Sequence, residues 1–409
     1  VKELSLWVTK FGGSSVGSLE RISRVAQRIA EIKNRGDNVV VVVSAMGDTT
    51  DELLELAWNI SNDLPARELD MLLATGEQQS AALLAMALAS INCPAVSLTG
   101  WQAGIESDSQ YGKALIMNLD TRRINRELAQ GKVVIIAGFQ GISPDGDITT
   151  LGRGGSDTSA VALAASLKAD HCIIYTDVDG VYTADPRIVD SARKISSISY
   201  EEMLELASLG AVVLQPRAAE FAMLYNVDVE VRSSFNNNPG TLITEVAKME
   251  KQRVVSGIAH DTNVARIALF DVPDQPGVAS IIFKILADHC INVDMVIQSA
   301  MRDDRNDIAF TIERNEFNKA RHVVNEIVIK IGASGMSFST EVAKVSIVGA
   351  GMQSNRGVAA AMFDALARQD INIHMISTSE IKISCIIDED RIEDAVKALH
   401  KAFHLDEGE

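Results

Sequence analysis

The chain reads as an α/β protein: a mainly parallel sheet sandwiched by helices, followed by two ferredoxin-like βαββαβ modules. Three observations predict this. Strand-like and helix-like segments alternate through residues 1–244. The run Asn236-Asn237-Asn238-Pro239-Gly240 is the strongest break in the chain. Beyond it, the last third repeats itself.

Residues 6–10 read as a strand. Residues 19–33 are helical by period, with Ile22, Val25, Ile29 and Ile32 on one stripe. Residues 39–43 are five valines, a strand covered on both faces, ending at Ser44-Ala45-Met46-Gly47. Residues 50–60 and 65–89 read as helical, and 133–137 and 173–175 as further buried strands. Ligands of such sheets sit beyond the carboxyl ends of the strands. Lys10-Phe11-Gly12-Gly13, Ser44, Gly138 and Thr176-Asp177 all follow strand ends. The boundaries fall at 1–244, a polar linker at 245–262, and modules at 263–340 and 341–409.

The repeat is read column by column. Gly277-Val278-Ala279 recurs as Gly357-Val358-Ala359, Phe283 as Phe363, Leu286 as Leu366, and Ile291-Asn292-Val293 as Ile371-Asn372-Ile373. Met295 and Ser299 return as Met375 and Ser379. Each copy reads strand (265–270; 344–348), turn, helix (277–289; 357–369), strand, and then a strand and helix in 308–329 and 383–403. The turn Gln275-Pro276-Gly277-Val278, Asn292 and Asn372 do not have the character of packing residues and point to a ligand or interface.

Composition bounds the function. The 409 residues carry a net charge of −17, which argues against nucleic acid or an anionic membrane as partner. A nucleotide needs only a local positive site. Cys93, Cys172, Cys290 and Cys385 lie far apart, which supports neither a zinc site nor a disulfide framework. Cys172 and Cys290 read as core residues. His400 and His404 are placed for a helix C-terminal end rather than for a metal. No apolar run approaches the ~20 residues that span a bilayer. The chain opens on Val1 with no leader pattern, so the expected compartment is the cytoplasm.

The chemistry concentrates in a few segments. Gly152-Arg153-Gly154-Gly155-Ser156-Asp157-Thr158-Ser159 runs into the small apolar stretch 160–167, a glycine-rich loop feeding a helix. Backbone amides and a helix N-terminus there suit an anion; the alternative is a capped turn. No Gly-Lys-Ser follows, so it is not a Walker loop. Lys10 with the Gly12 and Gly13 amides offers a transferring phosphoryl group positive charge and close donors; the alternative is a strand-end turn with a solvated lysine. Thr75-Gly76-Glu77 places a glycine in a helix, where it costs about 1 kcal/mol, and so points to a close approach. Thr176-Asp177-Val178-Asp179-Gly180 and Ala184-Asp185-Pro186-Arg187 read as turns, the second carrying an arginine suited to a phosphate.

Together these segments resemble the amino-acid kinase superfamily, and within it the aspartate kinases, over essentially the whole chain. The resemblance rests on Lys10-Phe11-Gly12-Gly13-Ser14-Ser15-Val16 (Ser14 where Thr is usual), Ser44-Ala45-Met46, Thr75-Gly76-Glu77, Ala137-Gly138-Phe139-Gln140-Gly141, Leu151 to Asp157, and Tyr175 to Gly180. The repeat resembles paired ACT modules. The resemblance implies an amino-acid kinase fold and transfer of the ATP γ-phosphate to the β-carboxylate of L-aspartate, with Mg²⁺ bridging the β and γ oxygens. It implies Lys10 and Asp157 as catalytic residues, and Ser44, Glu77, Arg153 and Ser156 as substrate contacts. Glu77 holds the α-ammonium and Arg153 the α-carboxylate. Lys10, Phe11, Gly12, Gly13, Gly154, Gly155, Thr176, Asp177, Tyr182 and Arg187 form the nucleotide pocket. A carboxylate nucleophile needs no general base, and all seven His lie outside these motifs.

Two positions depart from the family pattern: Val212 stands where Lys is usual and Gln215 where His is usual. Either Arg187 or Arg217 replaces the missing charge, or nucleotide affinity falls. The ACT resemblance implies feedback by lysine or threonine. It implies effector contacts at Asp274, Gly277, Val278, Ala279, Asn292, Val293, Asp294 and Gln298, and at Asn372, Ile373, Ser379 and Glu380 in the second module. It also implies ACT pairing between chains in a homodimer or larger oligomer, and an internal start at Met249. The alternatives are a catalytically silent amino-acid sensor, or a kinase acting on another carboxylate, a carbamate or a nucleotide monophosphate.

Overall fold

The computed structural model describes residues 4–61, 63–210, 213–245 and 254–407. Val212 and Met249 lie outside the described residues. The chain divides into two compact units, one of 4–181, 194–208 and 213–245, the other of 182–193, 209–210 and 254–407.

The first unit contains, in order, β1 (Leu6–Phe11), α1 (Gly13–Val16), α2 (Leu19–Asn34), β2 (Asn38–Val43), α3 (Thr49–Trp58), α4 (Ala66–Ser90) and β3 (Ala95–Leu98). There follow β4 (Ile105–Ser107), β5 (Ile116–Leu119), α5 (Arg122–Ala129), β6 (Val133–Ala137), β7 (Gln140–Ile142), β8 (Ile148–Thr150), α6 (Gly155–Leu167) and β9 (His171–Thr176). It closes with β10 (Ser197–Ser199), α7 (Tyr200–Ser208), α8 (Pro216–Tyr225), β11 (Val229–Ser233) and β12 (Thr241–Thr244).

The main sheet has the order β10-β12-β11-β9-β1-β2-β6-β3. Its central strands are parallel, and β12 runs antiparallel to β11. Valine and isoleucine fill these strands because both faces are covered. On one face Phe11, Val41, Ile135 and Tyr175 pack with Ile22 and Ile29 of α2 and Leu84 of α4. On the other, α6 packs against β1, β2, β9 and α8. Period-two alternation puts Lys10 on the α6 face, opposite Phe11. A second sheet, β5-β4-β7-β8, was not expected from the sequence.

The second unit contains β13 (Gly257–Pro273), α9 (Val278–Asp288), β14 (Val293–Gln298), β15 (Arg305–Glu313), α10 (Phe317–Ile331), β16 (Gly335–Val348), α11 (Val358–Ala367), β17 (Met375–Thr378), β18 (Lys382–Asp388) and α12 (Ile392–Ala402). One sheet, β14-β15-β13-β16-β18-β17, carries both repeats. Each repeat keeps its own apolar core: Ile267, Leu286, Phe310 and Ile327 in the first, Val345, Leu366, Cys385 and Leu399 in the second.

Three expectations need correction. The linker at 245–262 already contains the start of β13, and the boundary at 340/341 falls inside β16. Both strands are shared: the 257–261 part of β13 pairs with the end of β16, and its later part pairs with β15 and the start of β16. The second module therefore takes its sixth element from ahead of the first module, not from after α12. Cys290 is exposed, because it takes a left-handed conformation (φ +51°) just past the end of α9.

Candidate active site

A cavity of about 340 Å³ opens where the carboxyl ends of β1, β2 and β6 meet the start of α6. Lys10, Gly13, Ser44, Glu77, Arg153, Gly154, Gly155, Ser156 and Asp157 line it, as the sequence reading brings them together. Gly47, Thr50, Phe139 and Gln215 also line it and were missed. One signal was available for Phe139: it sits in Ala-Gly-Phe-Gln-Gly after a strand, and its φ is +68°.

Lys10 reaches the first turn of α6, where its ammonium lies 2.6 Å from Asp157 Oδ1. Both side chains are about nine-tenths buried (11% and 9% exposed). The contact is ionic and poorly aligned for a hydrogen bond, and Asp157 Oδ1 has no hydrogen-bond partner. Gly154 precedes α6 at φ +72°, and a Cβ there would lie 2.1 Å from Gln215 Cγ. Only glycine fits both conditions. The Gly155 amide donates to Gly152 O at 2.9 Å and the Gly12 amide to Tyr175 O at 3.2 Å. Those two amides are internal bonds rather than donors free for phosphate, which corrects the expectation for them.

Glu77 comes from α4 and is 3% exposed. Its Oε1 accepts from the Ala45 amide at 3.1 Å, and its Oε2 has no hydrogen-bond partner among the described residues. Burial pushes its carboxyl up to about 7, against the hydrogen bond from Ala45, which lowers it. Gly76 explains how α4 comes so close: a Cβ there would stand 2.8 Å from Ala45 Cβ. The close approach expected of this glycine is thus helix against loop. A buried carboxylate in a cavity lining, with one oxygen lacking a donor, matches an ammonium group.

Other expected residues lie elsewhere. The Phe11 ring is in the core, stacked on Tyr175 at 4.6 Å, so only its backbone borders the strand end. Thr176 ends β9 and Asp177 follows it, Thr176 Oγ1 donating to Asp177 Oδ1 at 3.0 Å. Tyr182 and Arg187 belong to the second unit. There Ala184 and Val189 enter the second repeat's core, and Thr183 Oγ1 lies 2.9 Å from His400 Nε2. Arg187 is exposed and its charge is met by Asp185 at 2.7 Å. Arg217 does not line the cavity; its guanidinium donates to Leu151 O at 2.7 Å and Ala114 O at 2.8 Å.

Among the expected effector contacts, Gly277 caps α9 at φ +99°, and Ala279, Asn292, Gln298 and Asn372 are exposed. Val278, Val293 and Ile373 are half-buried against the module cores. Asp274 Oδ1 accepts from Asn306 at 3.3 Å, the Ser379 amide donates to Lys382 O at 2.8 Å, and Glu380 accepts from Gln353 at 3.0 Å. Asp294 Oδ2 accepts from Lys344 at 2.5 Å and its side chain is half exposed. His400 is buried on Thr183, while exposed His404 lies 3.1 Å from Glu407, so the two do not converge. Among the described residues no helix is long and apolar enough to cross a membrane.

The amino acid kinase family profile matches residues 5–233, and an ACT domain profile matches 271–327 and 345–403. An aspartokinase of Bacillus sp. (strain MGA3) is 53% identical over 402 residues, covering 98% of each chain. The structure of E. coli aspartokinase III in complex with aspartate and ADP is similar with a TM-score of 0.82 and 25% identity, covering 98% of this chain and 100% of that one. The same enzyme in complex with lysine and aspartate gives a TM-score of 0.75, also at 25% identity, covering 97% of this chain and 99% of that one. The chain belongs to the amino acid kinase family, in its aspartokinase branch with a C-terminal pair of ACT domains.

Proposed function

We propose that this chain is an ATP-dependent aspartate kinase that forms 4-phospho-L-aspartate. The observation that carries the reading is the buried Glu77 carboxylate in the lining of the Lys10, Arg153 and glycine-loop cavity, one of its oxygens without a hydrogen-bond partner among the described residues. Glu77 takes the α-ammonium and Arg153 the α-carboxylate, which leaves the β-carboxylate for the phosphoryl group. A β-carboxylate oxygen attacks the γ-phosphorus, and the bond to the ADP oxygen breaks. The nucleophile is already ionised, so no base is required. Lys10 supplies positive charge to the equatorial oxygens, and Asp157 holds its ammonium in place. Ser44 and Ser156 line the same cavity as polar contacts. Mg²⁺ bound with the nucleotide would neutralise charge developing on the phosphates, and Asp157, the carboxylate beside Lys10, would be the group to hold it. Gly13, Thr176, Asp177, Tyr182 and Arg187 remain proposed nucleotide contacts.

We further propose that lysine or threonine acts at the ACT modules, with the α9 start receiving the α-carboxylate and Asp274 the ammonium. Support comes from the exposed residues around Gly277 and from lysine in the complex of the E. coli relative. Pairing of ACT modules between chains, an oligomer, a cytoplasmic site and a role in lysine and threonine biosynthesis complete the reading. The test is ADP release with ATP and aspartate, and hydroxylamine trapping of the acyl phosphate. Turnover with aspartate above glutamate is expected. Aspartate binding without turnover would instead identify a sensor.

A further inference from the structure

The loop that bears Arg153 contains two residues at positive φ, Gly152 (+75°) and Gly154 (+72°). Such a loop has little conformational preference of its own. Two charged side chains hold the residues that lead into it. Asp70 is 1% exposed and accepts three hydrogen bonds: from the Thr150 amide at 2.8 Å, the Thr150 hydroxyl at 2.7 Å and the Gly112 amide at 2.9 Å. Arg217 donates to the carbonyls of Leu151 and Ala114. Segments 112–114 and 150–151 are themselves joined, Ala114 N donating to Thr150 O at 2.9 Å. A carboxylate thus holds this pair of segments by their N–H groups, and a guanidinium holds the same pair by their carbonyls. Neither charge lines the cavity.

Asp70 and Glu77 lie seven residues apart on α4, close to two turns, so they share a face about 10 Å apart. One rigid helix therefore carries the substrate's ammonium site and the anchor of the loop that presents Arg153. We propose that Asp70 and Arg217 are positioning residues for the amino-acid substrate, fixing the Arg153 loop to the helix of Glu77 and so setting the spacing between the two backbone-binding charges. This rests on the reading of Glu77 and Arg153 given above. It predicts that loosening the clamp weakens aspartate and leaves the nucleotide alone.

The test uses the full chain with Arg217→Met, Arg217→Lys and Thr150→Val. Steady-state kinetics are run against aspartate and ATP separately, with thermal unfolding and amide hydrogen exchange over 110–116 and 150–156 in the substrate-free protein. Arg217→Met is expected to raise KM for aspartate by roughly tenfold or more, with KM for ATP nearly unchanged and faster exchange in both segments. Lysine reaches one carbonyl but not two and should fall between. If Arg217→Met does not fold, Thr150→Val, which removes only the hydroxyl donor to Asp70, carries the comparison. An unchanged KM for aspartate in a folded variant, or equal rises in both KM values, overturns the proposal. If the wild-type chain phosphorylates no aspartate, the functional reading has failed, and unchanged exchange in the variant then overturns the clamp as well.

Discussion

Replacing Glu77 with glutamine separates the cost of the buried charge from its use. Burial lifts this carboxyl from 4.5 to about 7. Between those values the folded protein binds more protons than the unfolded chain, so stability falls as pH rises through the window and levels off above it. At about 1.36 kcal/mol per pKa unit, the ionised carboxylate destabilises the ligand-free fold by roughly 3 kcal/mol at pH 8. Glutamine is neutral throughout and keeps the acceptor for Ala45. Its amide nitrogen, in the place of the unpartnered Oε2, lacks an acceptor at a cost of about 1 kcal/mol, but at every pH alike. The slope, not the offset, is the readout. Urea unfolding from pH 5 to pH 8 should show wild type losing roughly 3 kcal/mol relative to Glu77→Gln. Aspartate should bind wild type better as pH rises through about 7, and should bind the variant weakly at all pH values. Parallel stability curves for the two proteins would refute the argument, whatever the kinetics show.

Other outcomes follow from the same geometry. Lys10→Ala should lower kcat at least about a hundredfold; it also leaves Asp157 buried and unpaired, so Lys10→Met with Asp157→Asn should regain stability without activity, as read by unfolding and ADP release. Gly154→Ala should raise KM for both substrates through strain and collision with Gln215, and Gln215→Ala in the same chain should recover part of the loss in the same assay. Burial lowers the His400 imidazole below its usual 6.5, so its contribution is present above that value and is lost as pH falls through the folded-state value. Relative to His400→Gln, wild type should therefore lose stability as pH falls from 7 to 5, as read by thermal unfolding of the two proteins side by side.

Much of this was legible because local pattern and chemistry agreed. The valine run of β2, the stripe on α2 and the repeated columns of the ACT modules are periodic signals, and the structure follows them. Lys10, Glu77 and the 152–157 loop declared themselves as a charge or glycine out of keeping with its surroundings. What stayed hidden depended on distant partners. The strands β4, β5, β7 and β8 are three or four residues long, too short to show a period. Residues 182–193 look like a turn following a kinase strand, yet Ala184 and Val189 are buried with α12 residues some two hundred positions away. Arg217 and Arg187 look alike as solvent-seeking charges; only the carbonyls of Leu151 and Ala114 distinguish the first. Phe139 and Gln215 reach the cavity through a backbone twist and a helix start that no side-chain periodicity encodes.

The strands that β13 and β16 lend to both repeats carry a lesson for dissection. A fragment cut at residue 263 would strip the second repeat of a border strand, and one cut at 341 would sever β16 between its partners. Either half, expressed alone, would expose an unpaired ladder prone to sticking to itself. The two repeats should accordingly melt as one, and an insult to either should be felt by its twin.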